Sequence, residues 1–296
     1  MDSLPFGFEE DDDLFESRSR EKSIQNIIYT PKMCSFEWYM DQNHAVPEEK
    51  VELAKFVILS ADQCFYKQQY AEAKKHYQRG LELSLQNSSL RRRFVDGLAR
   101  CCCYLKDFQN AQTLAEQMVH DSNNDDQRSS ALSLLLTVLR EKRDLESEIS
   151  TLENWIDIHP LNAHLWKKLS DAYRRNIKQI GTGDISQENE FQLKTVCSSL
   201  FISRFCLEIF QGGQSSFAKL KTTKMLKEIQ LKLDKLHLNA VTQLNIEEHC
   251  KELVFSIKTQ PTDEPTDDGS VQVTQIETKQ EKTGLRFQQH YFPWLF

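Results

Sequence analysis

Three cysteines stand in a row, Cys101, Cys102 and Cys103, within GLARCCCYLKDFQNAQTLAEQ. Thiols are the groups that hold zinc or exchange disulfides. A tetrahedral ion needs ligands that converge on one point, whereas consecutive helical residues project about 100° apart. The chain has eight cysteines and no CxxC spacing. The triplet therefore reads as part of a helix wall, with cysteine acting as a small hydrophobe and Cys103 turned toward a groove. His159 and His164 flank a helix start, but Pro160 lies between them and no thiol or carboxylate pattern completes a metal site. His120 beside Asp121 reads as a helix C-terminal residue. The glycines of GTGD, residues 181–184, follow no strand, and HExxH, GxxxxGK[ST] and GxSxG are absent. No catalytic residue, metal or cofactor is expected.

Composition points to helices. Nine Gly and seven Pro are few for 296 residues, whereas phosphate loops and tight turns consume glycine. A net charge of -7 argues against general binding to nucleic-acid phosphates. The start, MDSLPFGFEEDDDLFE, is acidic and is not a signal peptide. The apolar run ALSLLLTVL, residues 131–139, is too short to span a bilayer. Reduced thiols and a cytoplasmic or nuclear location are expected.

Positioning comes from a repeat. KQQYAEAKKHY, residues 67–77, aligns with LKDFQNAQTLA, residues 105–115. Tyr70 falls on Phe108, Ala73 on Ala111, Ala61 on Ala99 and Cys64 on Cys102, all 38 apart. Later, HPLNAHLWKKLSDAYRR, residues 159–175, places Trp166, Leu169 and Tyr173 on one helical face behind Pro160. Leu132 precedes Trp166 by 34 residues. A small residue at a close helix crossing, an aromatic opening the second helix and this period resemble the tetratricopeptide repeat. The third unit carries Glu148, beside Ser147, where the small residue belongs, and reads as degenerate. Helical pairs are predicted near 48–67/70–86, 88–105/108–120, 127–142/144–158 and 162–178/187–211.

The stretches MCSFEWYMD, DQCFYKQQYAEAKKHYQRGLEL, GLARCCCYLKDFQNA and HPLNAHLWKKLSDAY resemble the tetratricopeptide-like family of the chromosome 8 open reading frame 76 protein, over most of residues 1–240. The resemblance implies an all-α helical solenoid. It brings no activity and no catalytic residues.

Three parts are expected. Residues 1–47 form an acidic and aromatic segment, mostly disordered, with Phe36, Trp38 and Tyr39 as a lid on the first helices. Residues 48–258 form the helical-repeat domain. Within it a basic amphipathic helix near 215–237, striped with Leu226, Ile229, Leu233 and Leu236, caps the last apolar face. Residues 259–296 form a disordered polar linker and an aromatic tail, LRFQQHYFPWLF, which docks on the body or serves as a partner motif.

In a solenoid of this kind the first helix of each unit lines the concave face. That projection places Lys55, Ile58, Asp62 and Tyr66 there from the first unit, and Arg93, Asp96, Arg100 and Tyr104 from the second. The third contributes Thr137, Arg140 and Glu141, and the fourth His164, Lys167, Asp171, Arg174 and Arg175. Basic residues outnumber acidic ones in this set, so the expected partner is an acidic peptide or helix. The acidic EEDDDLFE of the same chain is a candidate to shield the groove. The alternative is nucleic-acid association through Arg91, Arg92, Arg93, Arg174 and Arg175.

Overall fold

A computed structural model describes residues 50–83, 88–180, 187–211, 215–236, 238–259 and 283–296. All of them fall in one contact unit, Asn43–Phe296. The expectations for residues 1–47, including the lid and the shielding segment, lie outside the described residues.

Every element among the described residues is helical. The order is α1 (Lys50–Tyr66), α2 (Tyr70–Leu83), α3 (Ser88–Tyr104), α4 (Phe108–His120), α5 (Asp125–Lys142), α6 (Leu145–Ile158), α7 (Ala163–Ile180), α8 (Gln187–Phe210), α9 (Ser216–Asp234), α10 (Ala240–Thr259) and α11 (Thr283–Tyr291). A 3-10 turn, Pro293–Leu295, follows. From α1 to α8 each helix packs on the next, as short joints enforce. α1 also touches α3, and α3 touches α5, so these odd-numbered helices share a layer. α9 and α10 both pack on α8.

The joints inside the first three hairpins are copies of one another. Gln68, Lys106 and Arg143 adopt left-handed backbone with φ of 62°, 63° and 63°. Gln69 N–H reaches back to the Cys64 carbonyl, Asp107 N–H to Cys102 and Asp144 N–H to Leu139, at 2.8, 2.8 and 3.0 Å. This is the Schellman closure of a helix C-terminus, made without the glycine usually found there, which costs each joint about 1 kcal/mol. The residue that closes one helix then opens the next: the carbonyls of Gln69, Asp107 and Asp144 accept from Ala73, Ala111 and Glu148. Cys102 thus stands at the closing position of its helix, as Cys64 does.

The third unit corrects the sequence reading. Its joint is intact, and Glu148 occupies the position of the fully buried Ala73 and Ala111. The Glu148 side chain is only 1% exposed. Arg140 Nε donates to it at 2.7 Å, and Arg175 Nη1 and Nη2 at 2.9 and 2.7 Å. An Arg–Glu–Arg triad linking α5, α6 and α7 replaces the small residue, so the unit is not degenerate in backbone. Burial raises the Glu148 carboxyl, but the two guanidiniums outweigh it and hold it below the usual range.

Units one and two lock through reciprocal glycines. A Cβ on Gly80 of α2 would lie 2.0 Å from the Phe94 ring of α3, and one on Gly97 of α3 would lie 2.5 Å from the Tyr77 ring of α2. Phe94 and Tyr77 are buried and meet edge to face at 6.5 Å between centroids. In an open helix Gly→Ala is worth about 1 kcal/mol of stabilisation. At Gly80 the sign reverses: Gly80→Ala is expected to cost about 1–2 kcal/mol through overpacking, read as a lower urea midpoint. A higher midpoint would place Phe94 elsewhere.

Of the two expectations for the aromatic tail, docking on the body is what residues 283–296 show. Residues 283–296 are neither a free tail nor disordered. Phe287, Tyr291 and Phe292 are buried in the same core as α6, α7, α8, α9 and α10. The composition shift at residue 259 marks a change in polarity but not the end of the folded body. α9 turns an apolar face into the core: Thr222, Met225, Ile229 and Leu233 are buried, with Leu226 and Leu236 partly so.

Candidate functional site

The cysteines come first because their chemistry is most testable. Cys101, Cys102 and Cys103 are all buried, so Cys103 packs in the core and does not face a groove. Burial pushes the Cys101 thiol up to about 12 and raises those of Cys102 and Cys103. Such thiols stay protonated at neutral pH and are poor nucleophiles. No group of three metal-ligating side chains occurs among the described residues. His159 accepts or donates a 2.7 Å bond with Ser129 Oγ at the end of α6, a tie between helices.

The projected groove residues do lie on α1, α3, α5 and α7, but their charges are largely spoken for. Asp62 takes a 2.7 Å hydrogen bond from Tyr77 and a 2.6 Å ion pair from Arg93. Arg100 grips Asp96 with two bonds, at 2.7 and 3.0 Å. Arg140 and Arg175 hold Glu148. Lys55 pairs with Glu52, and Lys106 pairs with Glu141. Ile58 is core rather than surface, at 2% exposure. Thr137 is exposed and bonds the Ser133 carbonyl of its own helix. Arg174 makes no ion pair among the described residues. The expected free positive field is therefore mostly neutralised from within. The pairs Arg100–Asp96 and Lys55–Glu52 lie within one helix, whereas the partners of Arg93, Arg140 and Arg175 sit one helix or one unit away, where the sequence alone does not show them.

At the α7 end the face already carries a helix. Lys167 donates to Glu228 of α9 at 2.7 Å, and Lys232 of α9 grips both oxygens of Asp171 at 2.7 and 2.9 Å. His164 is exposed nearby; partial burial, Lys221 and Lys167 lower its pKa. Two predicted groove residues, Lys167 and Asp171, thus meet an intramolecular neighbour.

At the other end an aromatic cluster stays open. Tyr66 is 83% exposed and Tyr104 is 56% exposed. Tyr104 stacks on Tyr70 at 4.4 Å, with Phe65 edge-on to Tyr66, Tyr70 and Tyr104. The 38-residue repeat produces it: Tyr66 and Tyr104 end equivalent helices.

Three of the five arginines of the nucleic-acid alternative, Arg92, Arg93 and Arg175, are likewise engaged. Arg92 donates to the carbonyls of Met118, Asp121 and Gln127 and to Ser122 Oγ, clamping α3 to the loop before α5. Arg93 and Arg175 serve Asp62 and Glu148.

A second, unforeseen constellation surrounds Trp166, which is fully buried and donates from Nε1 to the Pro160 carbonyl at 2.7 Å. Phe287, Tyr291 and Phe292 ring it at centroid distances of 5.9, 5.2 and 6.0 Å. Tyr173 bridges α7 to α6 by donating to Glu153 at 2.8 Å, and receives Gln288 Nε2 at 3.1 Å. Burial pushes the Glu153 carboxyl up to about 7. The Trp166 and Tyr173 spacing was the signal for this site; the aromatic composition of LRFQQHYFPWLF signalled docking but not which face it would cover.

The class defined is an all-α protein of sequential helical hairpins, with no described helix long and apolar enough to cross a membrane. The chain belongs to the family of unknown function DUF5588, whose model matches residues 4–193. It is similar to "Uncharacterized protein C8orf76" of Homo sapiens, 29% identical over 169 residues, which cover 57% of this chain and 44% of that protein. The Rattus norvegicus homolog is 29% identical over 169 residues, 56% of this chain and 44% of its own length. The chain spans less than half the length of these curated relatives.

Proposed function

We propose that the chain is a protein-interaction module of the tetratricopeptide-like kind, with no chemistry of its own, that binds a peptide or partner helix along the face of α1, α3, α5 and α7. The observation that carries this reading is α9, a helix of the same chain held on that face by Lys167–Glu228 and Lys232–Asp171. A surface that holds one helix by alternating charges can hold a second further along, where Tyr66 and Tyr104 are exposed. The repeated joints and the small residues Ala73 and Ala111 at the crossings support the repeat assignment.

An acidic partner gains from Arg93 and Arg100 only by sharing them with Asp62 and Asp96. Exposed pairs of that kind are worth ~0.2–1 kcal/mol each. Affinity therefore rests on the two tyrosines, whose rigid rings provide area at low entropic cost. The test is capture of partners by the full chain from cell extract, comparing wild type, the Tyr66→Ser/Tyr104→Ser double variant and Lys75→Ala on the exposed side of α2. The same partner should be retained by wild type and Lys75→Ala and reduced at least about tenfold by the double variant, the loss expected when two aromatic anchors are truncated. Partners indifferent to both tyrosines would move the binding site off this face.

A further inference from the structure

We propose that the surface formed by α6, α7, α8 and α10 is a recognition site for a short aromatic helical peptide, occupied in the resting chain by its own residues 283–296. This goes beyond the odd-helix face, since it concerns a different surface and a ligand of stated chemistry.

The segment presents side chains as a peptide ligand does, from about two and a half turns of helix and a 3-10 turn. Phe287, Tyr291 and Phe292 enclose Trp166 of α7. Further along, Trp294 stacks on His249 of α10 at 5.4 Å, and Phe296 meets Phe191 of α8 at 5.4 Å. The site also reads a polar group. Gln288 supplies an amide N–H to the buried Tyr173 hydroxyl. The specificity is thus Phe at i, a donor amide at i+1, Tyr-Phe at i+4 and i+5, and Trp at i+7.

Two features mark the segment as a ligand rather than one more helix of the stack. α11 is nine residues long, too short to be stable by itself, so its order comes from the surface beneath it. Among the described residues no further layer covers its outer side, where Arg286, Gln289 and His290 are exposed. It is joined to α10 only through residues 260–282, so docking is an intramolecular event at an effective concentration on the order of millimolar. A partner carrying the same aromatic spacing would compete with it and free the C-terminus.

The experiment keeps the chain intact while it folds. A protease site is substituted into residues 262–275, the purified full chain is cut, and folding is checked by its unfolding midpoint. A fluorescent peptide of residues 283–296 is then added to cut and uncut protein. The expected result is exchange into the cut protein, with uncut protein binding at least roughly tenfold more weakly because the tethered copy competes. A peptide carrying Phe287→Ala and Tyr291→Ala should displace the label at least roughly a hundredfold less well. If the cut protein stays folded yet neither exchanges its segment nor binds the peptide, the segment is a fixed part of the core and the proposal fails. Equal displacement by the doubly substituted peptide overturns it as well. Neither outcome touches Tyr66 or Tyr104, so the odd-helix reading is tested separately.

Discussion

Trp166→Ala is expected to lower the unfolding free energy by about 3–5 kcal/mol, the largest effect of any single substitution considered. The indole is fully buried at the meeting point of α7 and the C-terminal segment. Truncation leaves a cavity lined by Phe287, Tyr291 and Phe292, and those rings lose their central contact. It also strands the Pro160 carbonyl, which accepts the indole N–H at 2.7 Å. The melting midpoint should fall by roughly 10 °C for a domain of this size. Trp166→Phe separates the two contributions, since it refills most of the volume but cannot donate. An unchanged midpoint for Trp166→Ala would mean that the register of α7 against the C-terminal segment is wrong.

The second large effect lies in the buried triad, and its sign depends on which member is removed. Arg175→Ala leaves the Glu148 carboxylate, 1% exposed, with Arg140 alone. Breaking a buried pair from the side that leaves a charge behind costs about 3–5 kcal/mol when the partner is fully enclosed. Arg175 is 47% exposed, so about 2–3 kcal/mol is expected here. Glu148→Ala should cost less than about 1 kcal/mol. It removes the group whose desolvation was unfavourable, both arginines can turn to water, and the equivalent positions already hold Ala73 and Ala111. Equal losses from the two variants would show that the triad stabilises beyond this account.

The pH dependence follows from the same group. The folded carboxyl of Glu148 is depressed by Arg175 and Arg140 despite its burial. Its contribution is therefore present above the unfolded carboxylate value of about 4.3 and is lost as pH falls through the folded one. The gap between wild type and Arg175→Ala should be widest at neutral pH and close in acid. Glu153 runs the other way. Its carboxyl is raised to about 7 in the fold, so stability falls as pH rises from the unfolded value toward 7. Unfolding titrations of Glu153→Gln should lose that slope.

The helical periods, the 38-residue pairings and Pro160 were enough to place the first eight helices to within a few residues, because they are set by local turns and by neighbours close in sequence. The position of Cys102 was legible for the same reason: its equivalence to Cys64 is a matter of spacing. What the sequence could not determine is who faces whom across distance. Glu148 read as a defect because its two arginines arrive from α5 and α7. Arg93 read as free positive charge because the Asp62 carboxylate that neutralises it arrives only once α1 and α3 are packed, whereas the Asp96–Arg100 pair, four residues apart on α3, was already within reach of the sequence. The aromatic C-terminus carried no period that names a partner. Its rings find Trp166 only when α6, α7, α8 and α10 have assembled the surface, since burial of apolar area is non-directional and the chain alone does not say which exposed face it will cover.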